Sequence, residues 1–251
     1  MDHHSPAPRD RVGRLAPPPR KIAIVGGAPA GLYLSTLLKK NRPDFDVTVY
    51  ERNSLGEALG FGVVFSDETL DNFKDADGPS FAALVNSFRH WGEIEIHHFG
   101  GRSFISGGHG FAAASRRNLL EILSSRATKV CVDLRFETEI TQIASLDADL
   151  VIGADGVHSM VRETLREQLQ PSIDQRTNKY IWLGTPKVFD RFTFIFVDTP
   201  AGMVWAHIYP YSSEGSTFIA EMAPDTWRTL GLDVGEDRML DPGESDQHAL
   251  N

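Results

Sequence analysis

The sequence is short of cysteine, of long apolar runs and of positive charge, and each shortage closes off a class of function. Cys131 is the single cysteine among 251 residues, so no internal disulfide can form. It sits in an apolar run with Val130, Val132 and Leu134 and reads as an inert thiol in a buried strand. No stretch approaches the roughly 18 uninterrupted apolar residues of a membrane span. The N-terminus also lacks the apolar centre of a signal peptide, so a cytoplasmic enzyme is expected. A net charge of -9 at pH 7 argues against general affinity for nucleic acid or for an anionic membrane, both of which need a basic surface, while leaving room for a local basic pocket. There is no Gly-x-Ser-x-Gly elbow to suggest a hydrolase. His97 and His98 alternate faces of a strand without nearby Cys or Asp partners, so no metal site is expected.

What is present is organised in blocks. Residues 1–19 are rich in Pro, Arg and His without periodicity and read as a disordered tail. From Lys21 an apolar run, Ile22-Ala23-Ile24-Val25, leads into the turn Gly26 to Gly31. Leu32, Leu34, Leu37 and Leu38 follow at helical spacing, and then the run Val47-Thr48-Val49-Tyr50, which together make a compact βαβ unit. Asp67 to Phe73 and Phe81 to Phe88 look helical, and alternating Ile94, Ile96 and Phe99 suggest a strand with one wet face. Ser115 can cap a helix carrying Leu119, Leu120, Ile122 and Leu123. Two short strands, Val130 to Leu134 and Phe136 to Ile140, then lead to a buried-looking strand at Leu150-Val151-Ile152 and a second glycine turn, Gly153 to Gly156. Beyond Pro171 the pattern changes to an antiparallel sheet of four strands, Lys179 to Leu183, Phe192 to Val197, Met203 to Tyr209 and Thr217 to Met222.

Two of these blocks carry chemistry. The turn Gly26-Gly27-Ala28-Pro29-Ala30-Gly31 follows a strand and opens a helix, so its backbone N–H groups and the helix dipole can hold a pyrophosphate. Twenty positions after Gly31, at the end of the second strand, Glu51 can accept from ribose hydroxyls, with Arg52 beside it. Ala28 stands where this fingerprint normally has its second glycine. Its methyl group either crowds the ligand or is tolerated by a small shift of the loop, and the sequence leaves both open.

The Pro29-Ala30-Gly31 segment and the run Asp149 to Arg162, which contains Gly153-Ala154-Asp155-Gly156, resemble the group A FAD-dependent aromatic monooxygenases. Three further motifs are similar to the branch that contains salicylyl-CoA 5-hydroxylase, anthraniloyl-CoA monooxygenase and the tryptophan hydroxylase of violacein synthesis. They are Gly60 to Asp67, Gly108-His109-Gly110-Phe111 and Asn178 to Thr185, and the resemblance runs from about Lys21 to Trp227. It implies an α/β fold, p-hydroxybenzoate-hydroxylase-like: a doubly wound, Rossmann-like FAD domain at 20–78 and 107–169, an inserted antiparallel substrate-binding sheet at 79–106 and 170–223, and an irregular tail at 224–251. It also implies FAD as cofactor, NADH or NADPH as co-substrate, and dioxygen and a small aromatic ring, of aryl-CoA thioester or indole type, as reactants. Asp155 and Gly156 would lie near the flavin pyrophosphate, and Arg116 matches the family arginine that contacts the flavin. His207, Tyr209 and Tyr211 are candidates for lining the substrate pocket, with an aromatic packing surface as the alternative. The flavin does the difficult chemistry in such enzymes, so no protein nucleophile or general base is assigned.

Relatives carry a third fingerprint, a Gly-Asp after the substrate sheet, and no Gly-Asp dipeptide occurs here. The chain is therefore expected to be a fragment, a truncated gene product or a repurposed module, incomplete at its C-terminus and impaired when isolated. Two alternatives stay open: a non-catalytic nucleotide-binding remnant, and a module that needs a complementing C-terminal chain.

Overall fold

A computed structural model of the chain describes residues 19–55, 57, 60–98, 101–234 and 247. Along the chain the elements are β1 (Lys21–Val25), α1 (Pro29–Asn41), β2 (Asp46–Tyr50), β3 (Gly62–Ser66), α2 (Asp67–Ala76) and α3 (Gly78–Val85). Next come β4 (Arg89–His98), β5 (Arg102–Ser115), α4 (Arg116–Lys129), β6 (Asp133–Arg135) and β7 (Leu150–Gly153). The last are α5 (Met160–Thr164), α6 (Arg166–Leu169), β8 (Lys179–Thr185), β9 (Phe192–Thr199), β10 (Gly202–Pro210), β11 (Ser216–Met222) and α7 (Pro224–Thr229). They fall into two compact units, Met1–Ser54 with Leu123–Pro171, and Leu55–Ile122 with Ser172–Asn251. The expected tail at 1–19, apart from residue 19, lies outside the described residues, as do Phe99 and most of 235–251.

The first unit is built on a parallel sheet in the order β6-β2-β1-β7. Its core is the apolar run that the βαβ pattern marks out. Ile22, Ile24, Val47 and Val49 are buried together with Phe45, Ala127 and Val132, and Leu34 and Leu38 of α1 pack against them. The second expected strand of the Val130 to Ile140 region does not form, and the first shrinks to Asp133–Arg135. The first starts late because of the way α4 ends. Val132 N–H donates to Ala127 O and Cys131 N–H to Thr128 O, the two bonds of a left-handed helix termination. Cys131 occupies its left-handed position, with φ 65°, and is exposed rather than buried in a strand.

The second unit holds a seven-stranded sheet in the order β3-β5-β4-β9-β10-β11-β8, antiparallel except for the parallel pair β4 and β9. The four strands expected after Pro171 are all present, each extended by one or two residues. One difference from the expected division concerns 55–78 and 107–122, assigned from sequence to the nucleotide domain. They belong to this second unit because β3 pairs with β5 along its whole length, from Gly62 opposite Ser115 to Ser66 opposite Phe111. A second difference is α7, which forms where an irregular tail was expected and packs on β10. One sheet face buries Phe65, whose ring meets Phe73 of α2 and Phe88 at centroid distances of 6.1 and 5.4 Å. The opposite face carries a cluster of Trp91, Ala113 and Tyr209 with Phe111 and Phe192 around it. Among the described residues no helix is long and apolar enough to cross a membrane.

The left-handed turn at Cys131 gives a discriminating test. Cys131→Val should lower stability by about 1–2 kcal/mol, because a β-branched residue fits poorly at positive φ, whereas Cys131→Gly should leave it unchanged or slightly raised. A buried strand position would give the reverse order, and urea unfolding of the two variants distinguishes them.

Candidate functional site

The parallel strands of the first unit end together, and the chemistry-bearing residues follow those ends. Past β1, Gly26 adopts φ 111° and donates its N–H to Tyr50 O at 2.8 Å. A Cβ at this position would lie 2.3 Å from Ala154 O, so only glycine allows the turn to pass this close to the segment after β7. Ala28 is the N-cap of α1, and the helix has no side-chain cap. Pro29 lacks an N–H, and the N–H groups of Ala30 and Gly31 fall in the first turn, where a helix supplies no partner. Ala28 itself has φ -73° and ψ 176°, ordinary extended backbone. The left-handed strain that alanine could have carried in this turn does not arise.

Glu51 immediately follows β2. One carboxylate oxygen accepts from Gly27 N–H at 2.7 Å, the other from Asn53 N–H at 2.9 Å. Its backbone is fixed as well, through Glu51 N–H to Arg135 O and Thr138 N–H to Glu51 O. Arg52 beside it is exposed. Past β7, Asp155 accepts from the Ser159 hydroxyl at 2.5 Å and from Val161 N–H at 3.1 Å. Ser159 in turn accepts from Arg162 N–H at 2.9 Å and so caps α5. Gly156, at φ 82°, turns the chain between them. Val25 and Gly153 are register partners, so both sequence fingerprints lie in one unit at the carboxyl ends of neighbouring strands.

The second unit brings together the three motifs that the branch resemblance singled out. Gly60, at φ 90°, lies flat on the Trp182 ring of β8, where a Cβ would come within 2.4 Å of the indole. The Phe61 ring covers Gly184, and the Asp67 carboxylate lies over Gly110. Gly62 N–H donates to Thr217 Oγ1 and Gly62 O accepts from the Tyr209 hydroxyl, each at 3.0 Å. Arg116 opens α4, its N–H donating to Phe61 O at 2.8 Å, and its side-chain Nε is buried with no hydrogen-bond partner among the described residues.

Of the three residues named for the substrate pocket, Tyr209 is 6% exposed, and its hydroxyl is committed to Gly62. Tyr211 packs on the same cluster with Trp91 and Tyr209. Both therefore contribute to this aromatic cluster. His207 is half-buried, with its ring 6.2 Å from Phe192 and from Phe194, 5.5 Å from Trp205, and its Nδ1 3.5 Å from Glu221 Oε1. Burial pushes its pKa below the ordinary value of 6.5 against the opposing pull of Glu221. Sequence reasoning missed Glu221, because the register that brings β11 beside β10 is not written in either strand. His97 lies 3.1 Å from Glu95 and His98 3.9 Å from Asp198, and the described residues contain no group of three or more His, Cys, Asp or Glu that could hold a metal ion.

The chain matches no protein-family model. It is 44% identical over 215 residues to a salicyloyl-CoA 5-hydroxylase of a Streptomyces species, across 85% of this chain and 41% of that protein. To the protodeoxyviolaceinate monooxygenase of Chromobacterium violaceum it is 31% identical over 219 residues, across 84% and 57%. Over these stretches the chain is homologous to proteins named as hydroxylases and monooxygenases. It spans about half the length of the curated relatives it matches. The fold agrees with that homology. The tetrameric form of 2-methyl-3-hydroxypyridine-5-carboxylic acid oxygenase superposes with a TM-score of 0.67 at 21% identity, covering 83% of this chain and 60% of that one. PqsL of Pseudomonas aeruginosa, in complex with 2-aminobenzoylacetate, superposes at 0.63 with 22% identity, covering 85% and 63%.

Two measurements follow from the sheet. His207 should titrate below 6.5 by NMR. Because the unfolded chain then takes up the proton more readily than the folded one, His207 should make the protein less stable as the pH falls through about 6.5, an effect absent in His207→Phe. Tyr209→Phe should cost about 1 kcal/mol in urea unfolding through loss of the bond to Gly62 O.

Proposed function

We propose that this chain binds FAD and belongs to a flavin-dependent hydroxylase that uses NAD(P)H and dioxygen on an aromatic ring of aryl-CoA thioester or indole type. The observation that carries the reading is the meeting of three features at the carboxyl ends of β1, β2 and β7: the glycine turn with its uncapped helix, the Glu51 carboxylate and the Asp155-Gly156 turn. Open α/β sheets bind nucleotides outside these strand ends, where the chain order reverses. The residues present fit the cofactor. The helix N-terminus offers N–H groups and a favourable dipole to a pyrophosphate, and the buried Nε of Arg116 lacks an acceptor among the described residues.

In this reading Gly26, Gly27, Ala28, Pro29, Ala30 and Gly31 form the phosphate turn. Glu51, with Arg52 alongside, takes the ribose, and Asp155 and Gly156 shape the second wall. Arg116 donates to the flavin. Bound FAD would supply hydride acceptance and oxygen activation. His207 and the rings around it would present an apolar, water-excluding surface to a substrate ring, with Tyr209 and Tyr211 holding that surface in shape. The resemblance to the thioester and indole branch sets the substrate class, and a cytoplasmic setting with its NAD(P)H supply completes the reading.

FAD titration of the purified chain tests it. Glu51→Ala should weaken FAD binding about ten- to a hundredfold, the loss of one charge-assisted hydrogen bond. Glu51→Gln, which keeps an acceptor for Gly27 N–H, separates cofactor affinity from damage to the turn. NAD(P)H oxidation should be stimulated by salicylyl-CoA, anthraniloyl-CoA or tryptophan. Absence of FAD binding by the unaltered chain would overturn the reading.

A further inference from the structure

The aromatic face of the second unit does not stop at its buried end. It runs out to a slot of about 600 Å³ lined by Ile96, His98, Arg102, Phe104 and Phe196. The register explains its shape. Ile96 of β4 lies opposite Phe104 of β5, and His98 lies opposite Arg102 on β5 and Phe196 on β9. The walls therefore stand on the two strands flanking β4, about 10 Å apart at the backbone, with β4 as the floor. That spacing suits a planar group between facing side chains. Phe104 keeps 59% of its surface exposed, so among the described residues its ring face is open to a ligand.

Charge selects the ligand. The Arg102 side chain forms no hydrogen bond or ion pair among the described residues, while the nearby Asp198 is directed to His98 at 3.9 Å. In a chain of net charge -9, a guanidinium beside an apolar slot with no partner among the described residues is a local exception, and its planar fork matches a carboxylate.

We propose that this slot binds aromatic carboxylates, the ring held between Phe104 and Phe196 over Ile96 and the carboxylate on Arg102. The site is separate from the flavin-contacting position assigned to Arg116. Phe104 and Ser115 are eleven residue steps apart along β5, up to about 36 Å. It therefore stands whether or not the chain binds FAD.

The test uses the full chain with 2-naphthoate as a fluorescent probe and 2-naphthamide as its uncharged counterpart. Naphthoate should bind saturably. Arg102→Gln should weaken it about tenfold, the value of one charge-assisted pair, and Phe104→Ala by a similar factor, while naphthamide should be indifferent to Arg102→Gln. Both residues are exposed, so the variants should keep the parent's melting temperature, which a thermal scan checks. Naphthoate binding that neither variant alters would place the probe elsewhere and overturn the proposal, as would no saturation up to about 10 mM. A concentration-dependent dimer that Phe104→Asp abolishes and naphthoate leaves intact would assign the slot to a second copy of the chain, and so would also overturn it.

Discussion

The contact on which the first unit depends is the Glu51 carboxylate bridging Gly27 N–H and Asn53 N–H. It ties the glycine turn after β1 to the end of β2, while Gly26 brings the same turn against the segment after β7. A carboxylate accepting from backbone N–H groups makes strong, short bonds, so the turn is set before any nucleotide arrives. The same oxygens are those expected to meet a ribose, which couples the shape of the turn to the ligand it would hold. Ala28 fits within this arrangement without backbone strain, because its φ is negative.

The second unit relies on another kind of close approach. Segments 60–62, 108–111 and 178–185 are far apart in sequence, yet glycine in each lets a ring or a carboxylate of another element lie directly on the backbone. The aromatic surface that results runs from Trp91 and Tyr209, nearly shut off from water, to Phe104, which is largely exposed. One face thus carries a dry end and an open end.

Much of this was legible in the sequence. The βαβ unit, the acidic residue twenty positions after the turn and the four alternating strands after Pro171 are local patterns whose periodicity follows directly from helix and strand geometry. What misled were places where long-range contacts override a local pattern. The apolar run around Cys131 looks like a strand, but α4 ends there in a left-handed turn that puts Val132 in the core and Cys131 in water. In the same way, the period of two puts Tyr209 on one face with His207, but it cannot say that Gly62 O accepts the Tyr209 hydroxyl.

The sequence by itself determined the two glycine fingerprints, the type of most elements and the alternation that makes one sheet face aromatic, because each depends on residues within a few positions of one another. Tertiary structure alone decided that β3 joins the antiparallel sheet, that Glu221 stands beside His207, and that Arg102 lines an apolar slot with no side-chain partner among the described residues. Those outcomes depend on strand order and register, which are set by pairing between segments tens of residues apart and leave no mark in any single stretch of chain.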